Sequence, residues 1–170
     1  MVDEINLRFA LPEDAAAIEH VLRVAFDEFS TDYTPEALRY VTPTSDEIVG
    51  RFAEGPIWVA ETQQSDIVGT VSIVPEPDWV YIRSMAVLPT AQGHGVGGKL
   101  LQAIEQYAAE NGFETLFLYT THFSTDAIRL YEKYGYIRGR ETTAEEWCGT
   151  PGLEMWKYLK GKTQTNATGS

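Results

Sequence analysis

Cysteine is nearly absent from this chain: among 170 residues, Cys148 stands alone. A single cysteine excludes an intramolecular disulfide and leaves no thiolate cluster for a structural zinc, and no metal site is expected. Basic residues are scarce too, 13 Lys and Arg against 25 Asp and Glu, for a formal net charge of −12. That deficit argues against nucleic-acid binding, which depends on Lys and Arg neutralising phosphates. It suits a neutral or cationic small substrate, and a charge kept for solubility explains it equally well. No stretch reaches the roughly 18 uninterrupted apolar residues that a membrane span requires, so no membrane association is expected. The opening MVDEINLRF has no basic segment followed by an apolar one, so no secretory leader is predicted and the expected location is cytoplasmic.

What is present is an ordinary hydrophobic fraction, 44%, enough for one core and one domain over residues 1–160. Residues 161–170 hold no large apolar side chain and are predicted to form a disordered tail. Its Asn166-Ala167-Thr168 matches a glycosylation sequon, read as a chance match without a secretory leader. Alternating Ile5, Leu7 and Phe9 predict a short half-buried strand. Pro12-Glu13-Asp14 opens a helix striped by Ile18, Val21, Leu22, Ala25, Phe26 and Phe29. Thr34-Pro35-Glu36 and Thr44-Ser45-Asp46-Glu47 read as the starts of two further short helices. Strands at 57–61 and 67–74, joined by polar residues, predict an antiparallel hairpin. Further on, the pattern predicts a strand at 80–87, a long helix stopping at Asn111-Gly112, a strand at 115–120 and a helix at 125–134 ending at Gly135. Strands starting at Tyr136 and Leu153 close the list. This order implies a mixed sheet with helices packed on it.

The densest signal lies between the 80–87 strand and the long helix, where Gly93, Gly95, Gly97 and Gly98 fall in six residues. Glycines let backbone approach a ligand, and a helix N-terminus offers unpaired amides and a positive dipole end, so the loop reads as an anion site. Gly93-His94-Gly95-Val96-Gly97-Gly98 matches G-x-G-x-x-G, the dinucleotide pattern. That pattern expects the glycines directly after the strand and an acid ending the next one. Here Pro89-Thr90-Ala91-Gln92 intervene, and the next strand ends in Tyr119-Thr120-Thr121-His122. Gly93 and Gly98-Lys99 also stand at nucleoside-triphosphate-loop spacing, but the following Leu100 cannot coordinate magnesium as a Ser or Thr would.

A third pattern uses more of the residues. Gln92-Gly93-His94-Gly95-Val96-Gly97 fits Q/R-x-x-G-x-G/A after Val87-Leu88-Pro89, and Ala127 to Tyr136 fits A-x-x-L-Y-x-x-x-G-F/Y. In this order the two motifs resemble the GNAT superfamily of acetyl-CoA-dependent N-acetyltransferases. The resemblance spans the strand order from Ile5 to Tyr158, with its specificity in residues 83–98 and 124–136. It implies an α/β (α+β) three-layer fold, with a central mixed, mostly antiparallel sheet of about seven strands splayed between the fourth and fifth, and helices on both faces. It also implies acetyl-CoA as co-substrate and a primary amine as acceptor, attacking the thioester directly. Main-chain groups of Met85, Ala86 and Val87 would pair with the pantetheine arm, and an N–H near Met85 would serve the thioester oxygen. The loop from Gln92 through Gly93, His94, Gly95, Val96, Gly97 and Gly98 would hold the pyrophosphate, with Ser124 also contacting the cofactor. Tyr131 would be the general acid that protonates the departing sulfur. Packing in the core is the competing role for Tyr131.

Three departures from the family pattern stand out. Ser124 occupies a position where relatives often carry Asn, and Gln92 one where many carry Arg. Tyr81 stands near the place of a Glu that serves several relatives as general base. Glu28, Glu36, Glu76, His122 or a water chain remain open for that task. The acceptor side is expected within about residues 26–52, Trp79, Tyr81 and the 141–152 loop. There Asp27, Glu28, Asp32 and Glu36 lie among Phe26, Phe29 and Tyr33, a mixture suited to an amine with an apolar body. A small-molecule amine is the expected acceptor, a protein or peptide amine the alternative, and a non-catalytic acetyl-CoA-binding module the reading from a different class. Homodimers are common in the family, and no residue here decides for or against one.

Overall fold

Seven strands form one open sheet in the order β1-β2-β3-β4-β5-β7-β6 in the computed structural model, which describes residues 4–159. The polar tail and its sequon lie outside the described residues. The strands are β1 (Asn6–Phe9), β2 (Ile57–Glu61), β3 (Ile67–Pro75), β4 (Val80–Val87), β5 (Thr115–Thr120), β6 (Ile137–Glu141) and β7 (Leu153–Tyr158). Every neighbouring pair is antiparallel except β4 with β5. The expected 57–74 hairpin is the β2–β3 pair, and β6 pairs with β7 across the intervening loop.

Helices cover both faces. On one face, α1 (Ala15–Asp27) buries Ile18, Val21 and Leu22 against Ile57, Val59 and Ala86 of the sheet. Two short helices follow, α2 (Pro35–Val41) and α3 (Ser45–Arg51). Each starts at a threonine whose hydroxyl accepts a backbone N–H of the first turn: Thr34 from Ala37 at 3.2 Å and Thr44 from Glu47 at 3.3 Å. Caps of this kind stabilise a helix by about 1 kcal/mol, which matters for seven-residue helices that cannot stand alone. On the opposite face, α4 (Val96–Glu110) and α5 (Thr125–Lys133) pack Leu100, Leu101, Ile104 and Ile128 onto Val71, Ile73, Val80 and Ile82.

Two irregularities in β4 shape everything that follows. Its parallel pairing with β5 runs from Val80↔Leu116 to Ile82↔Leu118 and stops there. Yet β4 stays paired with β3 as far as Val87↔Gly69, and β5 with β7 as far as Thr120↔Leu153. The two strands are therefore held on their outer sides while they part on the inner side. The second irregularity is a bulge. Between Arg83 and Ala86 β4 spends one more residue than β3 does between Ser72 and Thr70. An extra residue reverses the side-chain alternation. Val80 and Ile82 pack toward α4, and beyond the bulge it is Met85 that packs there while Ala86 faces α1.

The bulge is made by Ser84, a non-glycine residue in the left-handed region with φ 54°. Such a backbone costs on the order of 1–3 kcal/mol and persists only where its surroundings hold it. Arg51, at the end of α3, supplies one hold by donating from Nη1 to Ser84 Oγ at 2.7 Å. Ser84→Val, which places a β-branched side chain at positive φ and removes the hydroxyl, is expected to lower unfolding free energy by about 2–4 kcal/mol. Ser84→Gly, which relieves the strain while losing the same bond, should stay within about 1 kcal/mol of the parent. Urea denaturation measures both, and equal losses for the two variants would remove strain from the account.

Candidate active site

The parting of β4 and β5 opens a cleft of about 670 Å³ that runs from the glycine loop to the loop containing Trp147. One wall is the inner edge of β4, from Ser84 to Val87, whose backbone has no partner in β5. An extended chain bearing amides can pair with such an edge as an added strand would.

At one end of the cleft stands the N-terminus of α4. Gly95 is its cap residue at φ 77°, without a side-chain hydrogen bond to the first turn. The first bond that closes the helix there is Lys99 N–H to Gly95 O at 3.1 Å. The amides of Val96, Gly97 and Gly98 precede it, and the first turn of a helix lacks intrahelical acceptors. With the dipole, they make a site for an anionic group. A Cβ at Gly93 or Gly95 would meet nothing within 4 Å, so open space lies over the loop, and their φ values of 83° and 77° require glycine instead. Open space, free amides and a bare helix end fit a pyrophosphate.

Gly97 and Gly98 are held to glycine by packing, a constraint separate from what their amides offer the cleft. A Cβ on Gly97 would lie 2.7 Å from Leu130 Cδ2, and one on Gly98 would lie 2.0 Å from the Tyr134 hydroxyl. Both line the cleft, but glycine is required there because α5 packs closely on α4. Gln92 does not turn toward the anion site either; its amide donates to Val87 O at 3.2 Å and braces the loop on the end of β4. His94 is exposed and its side chain is not part of the cleft walls, in which the other residues of the run 92–98 stand.

Tyr131, on α5, lines the cleft and is 7% exposed. Burial raises its phenol pKa well above the ordinary tyrosine value, and the nearby Tyr33 raises it further. Its ring also packs on Tyr136 with centroids 5.8 Å apart. Packing and chemistry are thus both served: the ring belongs to the core, and the phenol is kept protonated. Ser124 lines the cleft as well, with its hydroxyl engaged with Thr121 Oγ1 at 2.7 Å. Tyr33 reaches the same pair: hydrogen bonds with Thr121 and Ser124 partly offset the burial that raises its pKa. Tyr33 was legible as an acceptor-side aromatic, but its hydroxyl network was not.

Of the carboxylates and histidine open for the base, Glu28 alone lines the cleft, projecting from the end of α1. Glu36 and Glu76 are not in its walls, and His122 points away to Glu141, with Nε2 3.7 Å from the carboxylate. Asp27, Asp32 and Trp79 also lie outside it. Tyr81 is in the wall, where burial, followed by the neighbouring Tyr40, raises its pKa. A phenol shifted in that direction cannot act as a base near neutrality. Among the wall residues that carried no sequence signal are two cations, Arg83 on β4 and Lys133 at the end of α5.

An open mixed sheet splayed at one parallel pair, with a glycine-rich helix start at the split, offers one cleft for a ligand that is anionic at one end and amide-bearing along its length. Residues 18–136 match the model of the acetyltransferase (GNAT) family, and the chain belongs to that family. It is 33% identical over 131 residues to YjgM of Escherichia coli K12, an uncharacterized N-acetyltransferase, covering 73% of this chain and 77% of the relative. A 95-residue stretch is 36% identical to N-acetyltransferase 14 of Xenopus tropicalis, covering 55% of this chain and 45% of that protein's length. Among solved structures, PaiA N-acetyltransferase of Thermoplasma acidophilum in complex with coenzyme A shares the fold with TM-score 0.77 at 16% identity, covering 92% of this chain and 99% of that one. Acetyl-CoA is the family's co-substrate. Among the described residues no helix is long and apolar enough to cross a membrane.

Gly95→Val forces a β-branched residue to φ 77° at the helix start. It is expected to weaken coenzyme A binding at least about tenfold in calorimetric titration. Unaltered affinity in a folded variant would detach the anion site from this loop.

Proposed function

We propose that this protein transfers the acetyl group of acetyl-CoA to a primary amine of a small molecule by direct attack. The observation that carries the reading is a single cleft that joins the unpaired β4 edge, the α4 N-terminus and the buried, protonated phenol of Tyr131. Acetyl-CoA supplies an activated thioester carbonyl. The edge from Met85 to Val87 aligns the pantetheine arm, and the amides from Gln92 to Gly98 receive the pyrophosphate. The Met85 N–H stabilises the charge that develops on the carbonyl oxygen. As the amine nitrogen bonds to the acetyl carbon, the carbon–sulfur bond breaks and Tyr131 gives its proton to the sulfur. Glu28, directly or through water, takes the proton that the new amide sheds, and the proton inventory closes when the tyrosinate is reprotonated from that side.

The small-molecule reading draws on the acceptor end, where Phe26, Phe29, Tyr33, Tyr40 and Trp147 enclose the cleft. Their rings form a connected set: Tyr33 meets Trp147 with centroids 6.4 Å apart and Tyr40 meets it at 5.8 Å. Such a roofed end suits a compact acceptor better than an extended peptide.

Free-thiol release from acetyl-CoA across a panel of amines and peptides tests the reading. Turnover is expected with small amines, and turnover confined to peptides would overturn the acceptor class. Tight cofactor binding without any turnover would mark a binding module instead. Tyr131→Phe is expected to lower kcat by about 10²–10⁴-fold with coenzyme A affinity changed less than about twofold. Because the phenol pKa is raised, the acid stays protonated above neutrality, and kcat should show no alkaline loss from this group below about pH 9. A kcat in the Phe variant equal to that of the parent at every pH would remove Tyr131 from the chemistry.

A further inference from the structure

The overall charge of −12 conceals two neighbouring guanidiniums beside the acceptor end. Arg83, on β4, lines the cleft with its side chain 15% exposed. One guanidinium nitrogen, Nη2, pairs with the half-exposed Glu54, while Nε is buried and meets no hydrogen-bond partner. Arg51 stands beside it, donating to Ser84 Oγ at 2.7 Å and meeting no carboxylate within ion-pair distance among the described residues. Burial lowers the Arg51 pKa, and the charge of Arg83 lowers it further, so the two cations feel each other. Two guanidiniums thus share one carboxylate.

Two neighbouring cations with one carboxylate between them are costly to hold half-buried. A carboxylate arriving from the cleft would supply a second counter-charge, while the enclosed Nε stays out of its reach. Guanidinium is suited to that task, since its planar fork meets carboxylates with paired, charge-assisted bonds. The surroundings add donors: the Tyr40 and Tyr81 phenols lie together beside Arg83, and both line the cleft. On the helix side Glu28 offers the opposite charge for an amine, and Phe26, Phe29 and Trp147 enclose apolar volume.

We propose that Arg83, supported by Arg51, binds a carboxylate on the acceptor, so that the substrate is a carboxylate-bearing amine with an apolar body, of the amino-acid type. This rests on the acetyltransferase reading and narrows its acceptor class. It adds a carboxylate to the neutral or cationic small acceptor that composition suggests, since the cleft wall carries Arg83 as well as Glu28.

The test is calorimetric and does not depend on turnover. N-acetyl-phenylalanine and N-acetyl-leucine, and their primary amides, are titrated into the protein saturated with coenzyme A. The acids are expected to bind at least about tenfold more tightly than the amides, with the advantage falling to within about twofold in Arg83→Gln and partly retained in Arg83→Lys. Coenzyme A titration of each variant reports whether the cofactor half is intact. Equal binding of acids and amides to the parent, absence of binding by either, or an undiminished advantage in a folded Arg83→Gln would overturn the proposal. Its failure is separable from that of the enzymatic reading. Turnover of neutral amines with no preference for the acid defeats the carboxylate site alone. An acid preference in binding with no thiol release from the matching free amino acids leaves the site standing and defeats the catalysis.

Discussion

The parallel pairing of β4 and β5 ends after three register pairs, and both the cofactor half and the acceptor half of the cleft exist because of it. Backbone groups that a sheet would consume are left facing one another across a gap. The strands do not simply fray, because β3 and β7 hold their outer edges to the last residue. The bulge at Ser84 then turns Met85 toward α4 and Ala86 toward α1, so that the free edge begins where the cleft does. A strained serine, an arginine that holds it and an interrupted ladder form one device.

That device also couples the two halves. Arg51 reaches from α3 to the bulge, and the same side chain stands beside Arg83, whose charge it feels, behind the acceptor end. Tyr33 comes from the segment before α2 and meets Thr121 and Ser124, which lie at the start of α5 ahead of Tyr131. Thr34 binds Cys148 O at 2.5 Å, tying the same segment to the loop that carries Trp147. The acceptor end is therefore assembled from parts distant in sequence and joined by side-chain hydrogen bonds. The cofactor end is nearly continuous, being the end of β4, one loop and one helix start.

This difference explains what could be read from the residues alone. The strands, the five helices and the glycine loop were legible because each depends on local periodicity, capping threonines or positive φ. Tyr131 and Ser124 were legible only through the spacing of a motif. The roles of Gly97 and Gly98 were not, because contacts with Leu130 and Tyr134 are set by the packing of two helices. His122 faces Glu141 while the adjoining Thr121 faces the cleft, and beyond the end of β5 no periodicity distinguishes the two. No local signal marks Ser84 for the left-handed region, whereas Arg83, two residues beyond Tyr81 and ahead of the bulge, follows it to the same wall by simple alternation. Net charge says little about the acceptor for the same reason, since it reports a sum and the cleft responds to position.

The most direct test of the account is a crystal structure of the protein with coenzyme A bound. The account predicts pyrophosphate oxygens on the amides between Gln92 and Gly98, pantetheine amides paired with the β4 edge at Met85 to Val87, and the thiol within hydrogen-bond reach of the Tyr131 hydroxyl. Coenzyme A bound outside the split between β4 and β5, or with its sulfur remote from Tyr131, would contradict it.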